Sequence, residues 1–169
     1  MNKTIFYSTA MAVLVLSCQY SYAASDLDLS INKHQQKFED IALQIWEIAE
    51  MGYQEYRSSN LLKEALSEEG FRIQNNVANI PTAFIAEYGS GFPVIAILGE
   101  FDALPGISQS ASPFKETYKD NIAGHACGHH LFGAGSAWAS VAIKEWLLNN
   151  KNTGTIRYYG TPAEEGGSG

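Results

Sequence analysis

The chain has 169 residues, with 11 Lys+Arg against 18 Asp+Glu and a formal net charge of −7. That balance excludes the broad basic surface with which proteins hold nucleic acid through its phosphates. Apolar residues at 46% and charged residues at 17% exclude a disordered chain and suit one domain of about 150 residues, or the first part of a longer protein.

Residues 1–23 read as an address. Lys3 gives a positive start, Ala10 to Leu16 form an apolar run, and Ser21-Tyr22-Ala23 offers small residues to a signal peptidase. The run is far shorter than the roughly 20 residues of a spanning helix. A second reading makes Val15-Leu16-Ser17-Cys18 a lipoprotein box with a lipid anchor on Cys18. Both readings export the chain to a periplasmic or extracellular space. Removal of residues 1–23 takes away one lysine and no acid, so the net charge becomes −8, and Cys127 is left as a single cysteine.

Helices and strands then alternate. From Ser30 to about Met51, apolar residues at Phe38, Ile41, Ala42, Ile45, Ile48 and Ala49 follow helical spacing, with Ser30 as the expected cap and His34 on the solvated side. Ser58 or Ser59 opens a second helix through Leu61, Leu62, Ala65 and Leu66, closed by Gly70. Residues 71–77, 82–88 and 93–98 read as strands, and Gly89-Ser90-Gly91 suggests a hairpin between the last two. The Val94-Ile95-Ala96-Ile97-Leu98 run lacks polar alternation, as in a central strand covered on both faces. Residues 102–124 form a long loop of the kind that is usually functional. A third helix, from Gly128 to about Asn150, carries a small-residue face (Gly133, Ala134, Gly135, Ala137, Ala139, Ala142) suited to close packing on a sheet. A last strand spans 155–159. This order implies an α/β layered sandwich, a mixed sheet with helices on both faces, in which strands 94–98 and 155–159 are neighbours.

The chemistry lies at the ends of these elements. Two strands end in acids, Glu100 and Asp102 after one and Glu164-Glu165 after the other, where open α/β sheets bind ligands. Between them, His125-Ala126-Cys127-Gly128-His129-His130 packs three of the four histidines beside the thiol. Thiolate and imidazole are preferred ligands of zinc and its neighbours, carboxylates complete such sites, and a helix N-terminus favours the thiolate. Adjacent carboxylates in extended backbone point to opposite sides. One of Glu164 and Glu165 can therefore bind a metal while the other acts as general base.

Gly-Glu-Phe-Asp102-Ala-Leu-Pro-Gly, His125-Ala-Cys127-Gly-His129 and Gly-Thr-Pro-Ala-Glu164-Glu165-Gly-Gly together resemble the metal-dependent amidohydrolases and peptidases that include aminoacylases, hippurate hydrolases, auxin-conjugate hydrolases and aminobenzoyl-glutamate hydrolases. The details lean toward the last branch. The resemblance runs from residue 46 to residue 169 and implies the N-terminal half of a zinc-peptidase-like catalytic domain, residues 24–169. It implies Cys127, His129 and Glu165 as ligands of one or two ions, zinc or manganese, with Glu164 as general base and Asp102 orienting the site. Glu100 stands where the wider family often has a ligand histidine and does not match it, and His130 receives no role. The implied activity is hydrolysis of an amide in an N-acyl amino acid or similar small conjugate, with a dipeptidase or carboxypeptidase as the alternative. Relatives carry further histidine ligands and a lid and dimerisation domain after the Glu-Glu motif. The expectation is thus a piece of a homodimeric enzyme, and an inactive metal-binding product if the chain ends at Gly169.

Overall fold

Helix formation begins ahead of the expected cap. The computed structural model describes residues 25–167 and 169; the leader expected at 1–23 and the lipidation box at Cys18 lie outside the described residues. Helix α1 spans Asp26–Ile48. Ser25 Oγ accepts from the Asp28 amide at 3.2 Å while the Asp28 carboxylate accepts from the Ser25 amide at 2.9 Å. This reciprocal box satisfies two helix-end donors, so Ser30 falls inside the helix and is buried. Helix α2 spans Tyr56–Glu68 and also starts before the expected serine. Its cap comes from outside: the Glu50 carboxylate accepts from the amides of Arg57 (3.1 Å) and Ser58 (2.8 Å), placing negative charge at the positive helix end.

Strands β1 (Arg72–Asn75), β2 (Phe84–Ser90) and β3 (Val94–Glu100) follow. A short pair comes next, β4 (Leu104–Pro105) and β5 (Ala123–Gly124), then helix α3 (His129–Asn149) and strand β6 (Gly154–Thr161). The main sheet has the order β1-β2-β6-β3, with β1/β2 and β2/β6 antiparallel and β3/β6 parallel. The α/β class, the mixed sheet and the adjacency of β3 and β6 are as expected. Among the described residues the helices gather over one face. There Phe38 and Ile45 of α1, Leu62 and Leu66 of α2, and Ala137 and Val141 of α3 meet the alternate strand residues Phe84, Ala86, Ile156 and Tyr158. Gly160 makes room for this core, since a Cβ there would lie 2.2 Å from the Phe84 ring.

Three expectations are corrected. The hairpin at Gly89-Ser90-Gly91 does not form, because β6 inserts between β2 and β3 and pairs with both. Among the described residues strand β3 lies at the edge of the sheet rather than at its centre, and Val94, Ile95 and Leu98 are exposed. His34 is buried rather than solvated. Packing of α3 on α1 encloses it between Glu145 (Nε2 to Oε1, 2.9 Å) and Glu69 (Nδ1 to Oε1, 3.5 Å). Lys33 meets Glu145 at 2.7 Å, while Lys37 and Lys144 meet Glu69 at 3.1 and 3.2 Å. This ionic cluster ties the three helices together. No helix among the described residues is long and apolar enough to cross a membrane.

Leu62 is fully buried and Leu43 is 60% exposed on α1. Urea unfolding should show Leu62→Ala destabilising by about 2–5 kcal/mol and Leu43→Ala changing stability by less than about 0.5 kcal/mol. Burial raises the Glu145 carboxyl, but the contacts with Lys33 and His34 outweigh it and bring its pKa to about 2, from an ordinary 4.5. A depressed carboxyl contributes stability above its unfolded pKa and loses it as pH falls through its folded one. Denaturation midpoints should therefore decline between pH 4.5 and pH 2, and Glu145→Gln should flatten that decline.

Candidate metal centre

Strands β3 and β6 run parallel and in register, with Gly99 beside Gly160 and Glu100 beside Thr161. Their carboxyl ends therefore deliver Glu100-Phe101-Asp102 and Ala163-Glu164-Glu165 to one edge of the sheet, the usual place for ligands in such sheets. Helix α3 brings the third component. Its first residue is His129, and Gly128 before it adopts φ 87°, a left-handed conformation that glycine tolerates. Gly133, one turn on, lies so close to β3 that a Cβ would approach the Glu100 carbonyl to 2.6 Å. The expected small-residue face is thus used at Gly133, Ala134, Ala137 and Ala142, whereas Gly135 and Ala139 face outward.

Asp102 organises the group. It is 1% exposed; its Oδ1 accepts from His129 Nδ1 at 2.9 Å and its Oδ2 accepts from the Glu165 amide at 2.9 Å. The first bond commits the His129 proton to Nδ1 and leaves Nε2 with a free lone pair. Around Nε2 stand Glu100 Oε2 at 3.0 Å, Glu164 Oε2 at 3.7 Å and Glu165 Oε1 at 3.9 Å. The Cys127 sulfur, a His129 nitrogen and a Glu165 oxygen lie within 4.8 Å of one another, as do donor atoms of Glu100, His129 and Glu164. All five residues singled out from the sequence, Asp102, Cys127, His129, Glu164 and Glu165, are brought together. Glu100 joins them although its side chain does not match the family's histidine.

The electrostatics are those of a site with surplus negative charge. Burial and the neighbouring Glu164, Asp102 and Glu165 push the Glu100 carboxyl up, against the pull of His129. A hydrogen bond to Glu165, with smaller contributions from burial and the nearby carboxylates, raises the Cys127 thiol. The expected thiolate preference of a helix N-terminus is outweighed here by the acids. A divalent cation reverses both effects, and sulfur, imidazole and carboxylate oxygen form a donor set suited to zinc. His125 and His130 stay outside this set. Burial and the adjacent His130 hold His125 neutral with a pKa of about 4; its Nε2 donates to the Ile45 carbonyl at 3.1 Å, and the two rings lie 5.1 Å apart. His34, Glu69 and Glu145 also lie within ligand spacing of one another, but three lysines already neutralise the two carboxylates, so that cluster does not fit a cation.

Two supports were not foreseen from sequence. The long loop is anchored: Tyr118 packs on Trp46 at 4.7 Å and donates to Glu47 at 2.9 Å. Glu55 is fully buried behind the Glu164-Glu165 turn and accepts from the Ala163 amide at 2.8 Å. Ala163 has φ 57°, a conformation that costs a non-glycine residue on the order of 1–3 kcal/mol. No periodicity or motif marks Glu55, which sits in a polar stretch between two helices.

Residues 96–169 match Peptidase family M20/M25/M40. One of the subunits of the p-aminobenzoyl-glutamate hydrolase of Escherichia coli K12 is 47% identical over 146 residues, covering 85% of this chain and 30% of that protein. An IAA-amino acid hydrolase, ILR1-like 5, of Arabidopsis thaliana is 33% identical over 168 residues, covering 92% and 37%. The crystal structure of a dinuclear metal-binding peptidase of the M20 family from Bacillus subtilis superposes with a TM-score of 0.61 at 31% identity, covering 79% of this chain and 36% of that one. The chain spans about a third of the length of the curated relatives it matches. Removal of the organising carboxylate by Asp102→Ala should weaken divalent-metal binding at this site about 10–100-fold, measured by competition with a chromophoric chelator.

Proposed function

We propose, from the match of residues 96–169 to Peptidase family M20/M25/M40, that the whole protein is a member of that family and hydrolyses the amide bond of an N-acyl amino acid or similar small conjugate. The observation that carries this reading is the gathering of Cys127, His129 and Glu165 at ligand spacing, with Glu164 Oε2 standing 3.7 Å from His129 Nε2. The similar proteins point the same way, since p-aminobenzoyl-glutamate and IAA-amino acids both join an acyl group to an amino acid through an amide.

In this reading Cys127, His129 and Glu165 hold one or two divalent ions, zinc or manganese. A bound ion supplies Lewis-acid activation of water and of the amide carbonyl. Asp102 keeps His129 in the tautomer whose Nε2 faces the ion and fixes the Glu165 backbone. Glu164 is 52% exposed on its side chain, with its carboxylate 3.7 Å from His129 Nε2. It takes the proton from the attacking water and hands it to the departing amine nitrogen, so that the amine leaves neutral.

A peptidase acting on dipeptides or peptide C-termini is the second reading, favoured by the Bacillus subtilis structural relative. A panel of acyl-amino acids against dipeptides separates the two. The small amide is the proposed ligand. The Escherichia coli relative is named as one subunit of its hydrolase, which makes a different partner chain an alternative to the homodimer that the resemblance implies. We also assign the protein to the periplasm or extracellular space, on the pattern of residues 1–23. Glu164→Gln in the full-length protein should retain bound metal in elemental analysis yet lower kcat at least 100-fold. Chelation should abolish turnover and added zinc or manganese restore it.

A further inference from the structure

The Glu164-Glu165 turn follows a residue in an unfavourable backbone conformation, and something must hold it there. Ala163 is 1% exposed and left-handed, with φ 57°. The segment between α1 and α2 closes on it from behind. Gly52 touches it so closely that a Cβ would lie 3.0 Å from both the Ala163 Cα and Cβ. Tyr53 Oη donates to the Gly167 carbonyl. Glu55 Oε1 accepts from the Ala163 amide at 2.8 Å, and Glu55 is wholly buried.

We infer that Glu55 is a positioning residue, whose buried carboxyl oxygen fixes the Ala163 amide in its left-handed conformation and so aims Glu164 and Glu165 at His129. The inference rests on the proposed roles of those two glutamates. Asp102 anchors the other side of the turn, accepting from the Glu165 amide at 2.9 Å. Two acceptors on amides two residues apart leave the intervening Glu164 little rotational freedom. A buried carboxyl serves here because a backbone amide without an acceptor is costly in the interior. Burial also pushes the Glu55 carboxyl up, against the donors that face it from Ala163, Tyr53 and Thr82. What the Ala163 amide requires is an acceptor oxygen, which a carboxamide supplies as a carboxylate does.

The test compares Glu55→Gln, which keeps an acceptor oxygen, with Glu55→Leu, which keeps the volume and removes it, in the full-length protein. Glu55→Gln should stay within threefold of wild type in zinc affinity, by chelator competition, and in kcat. Glu55→Leu should lose at least tenfold in both, with KM within threefold. Leu62→Ala, a core change away from the turn, should lose stability and keep its zinc affinity, which separates positioning from general loosening. The wild-type Ala163 amide should exchange with deuterium at least 100-fold more slowly than an unstructured amide, a reading that stands even where Glu55→Leu does not fold. A Glu55→Leu protein like wild type, a Glu55→Gln protein as impaired as Glu55→Leu, or an unprotected Ala163 amide would overturn the role. A wild-type protein that binds no zinc and cleaves no amide would overturn the proposed function along with it.

Discussion

The pair of hydrogen bonds made by the buried Asp102 carboxylate is the contact on which the site depends. One oxygen holds the His129 ring and the other holds the Glu165 backbone, each at 2.9 Å. Three chain segments far apart in sequence, the end of β3, the start of α3 and the turn after β6, therefore meet at one carboxylate. A buried anion is tolerated only when its lone pairs are filled by donors, and both oxygens of Asp102 are filled. The same bonds that satisfy it leave His129 Nε2 facing outward toward three further carboxylates. Structure and chemistry share one group here, which explains why the acid sits at a strand end rather than in solvent.

Sheet topology makes that meeting possible. Parallel pairing of β3 with β6 puts both carboxyl ends on one edge, and insertion of β6 between β2 and β3 brings the Glu164-Glu165 turn beside Glu100. Glycines at Gly133 and Gly160 then let α3 and the Phe84 ring approach the strands closely. The cost of this arrangement within the described residues is an apolar edge at β3, with Val94, Ile95 and Leu98 exposed.

Two clusters of charge illustrate opposite solutions. Around His34, two glutamates are matched by Lys33, Lys37 and Lys144, and the result is a closed network that joins helices. Around His129, four carboxylates and a thiol face one imidazole without any lysine or arginine in contact among the described residues. The first needs nothing more. The second carries a surplus of negative charge, which pushes the Glu100 carboxyl and the Cys127 thiol up and which a divalent cation would balance.

Sequence alone determined the elements and the inventory of the site. Helical and strand periodicity is a local property, so α1, α2, α3 and the strands of the main sheet were legible to within a few residues, whereas β4 and β5 lie inside the expected loop; Asp102, Cys127, His129, Glu164 and Glu165 were named through the resemblance of three motifs, and the fold gathers them. Helix starts were misread where the cap was a neighbour in space, as with Glu50 at α2. Only the tertiary structure decided which strands pair, that β3 is an edge, that His34 is enclosed, and that Glu100 and Glu55 belong with the site. Each of these depends on contacts between residues distant in the chain, which no local pattern encodes: a buried glutamate behind a turn and a solvated one in a loop are the same letter until the packing around them is known.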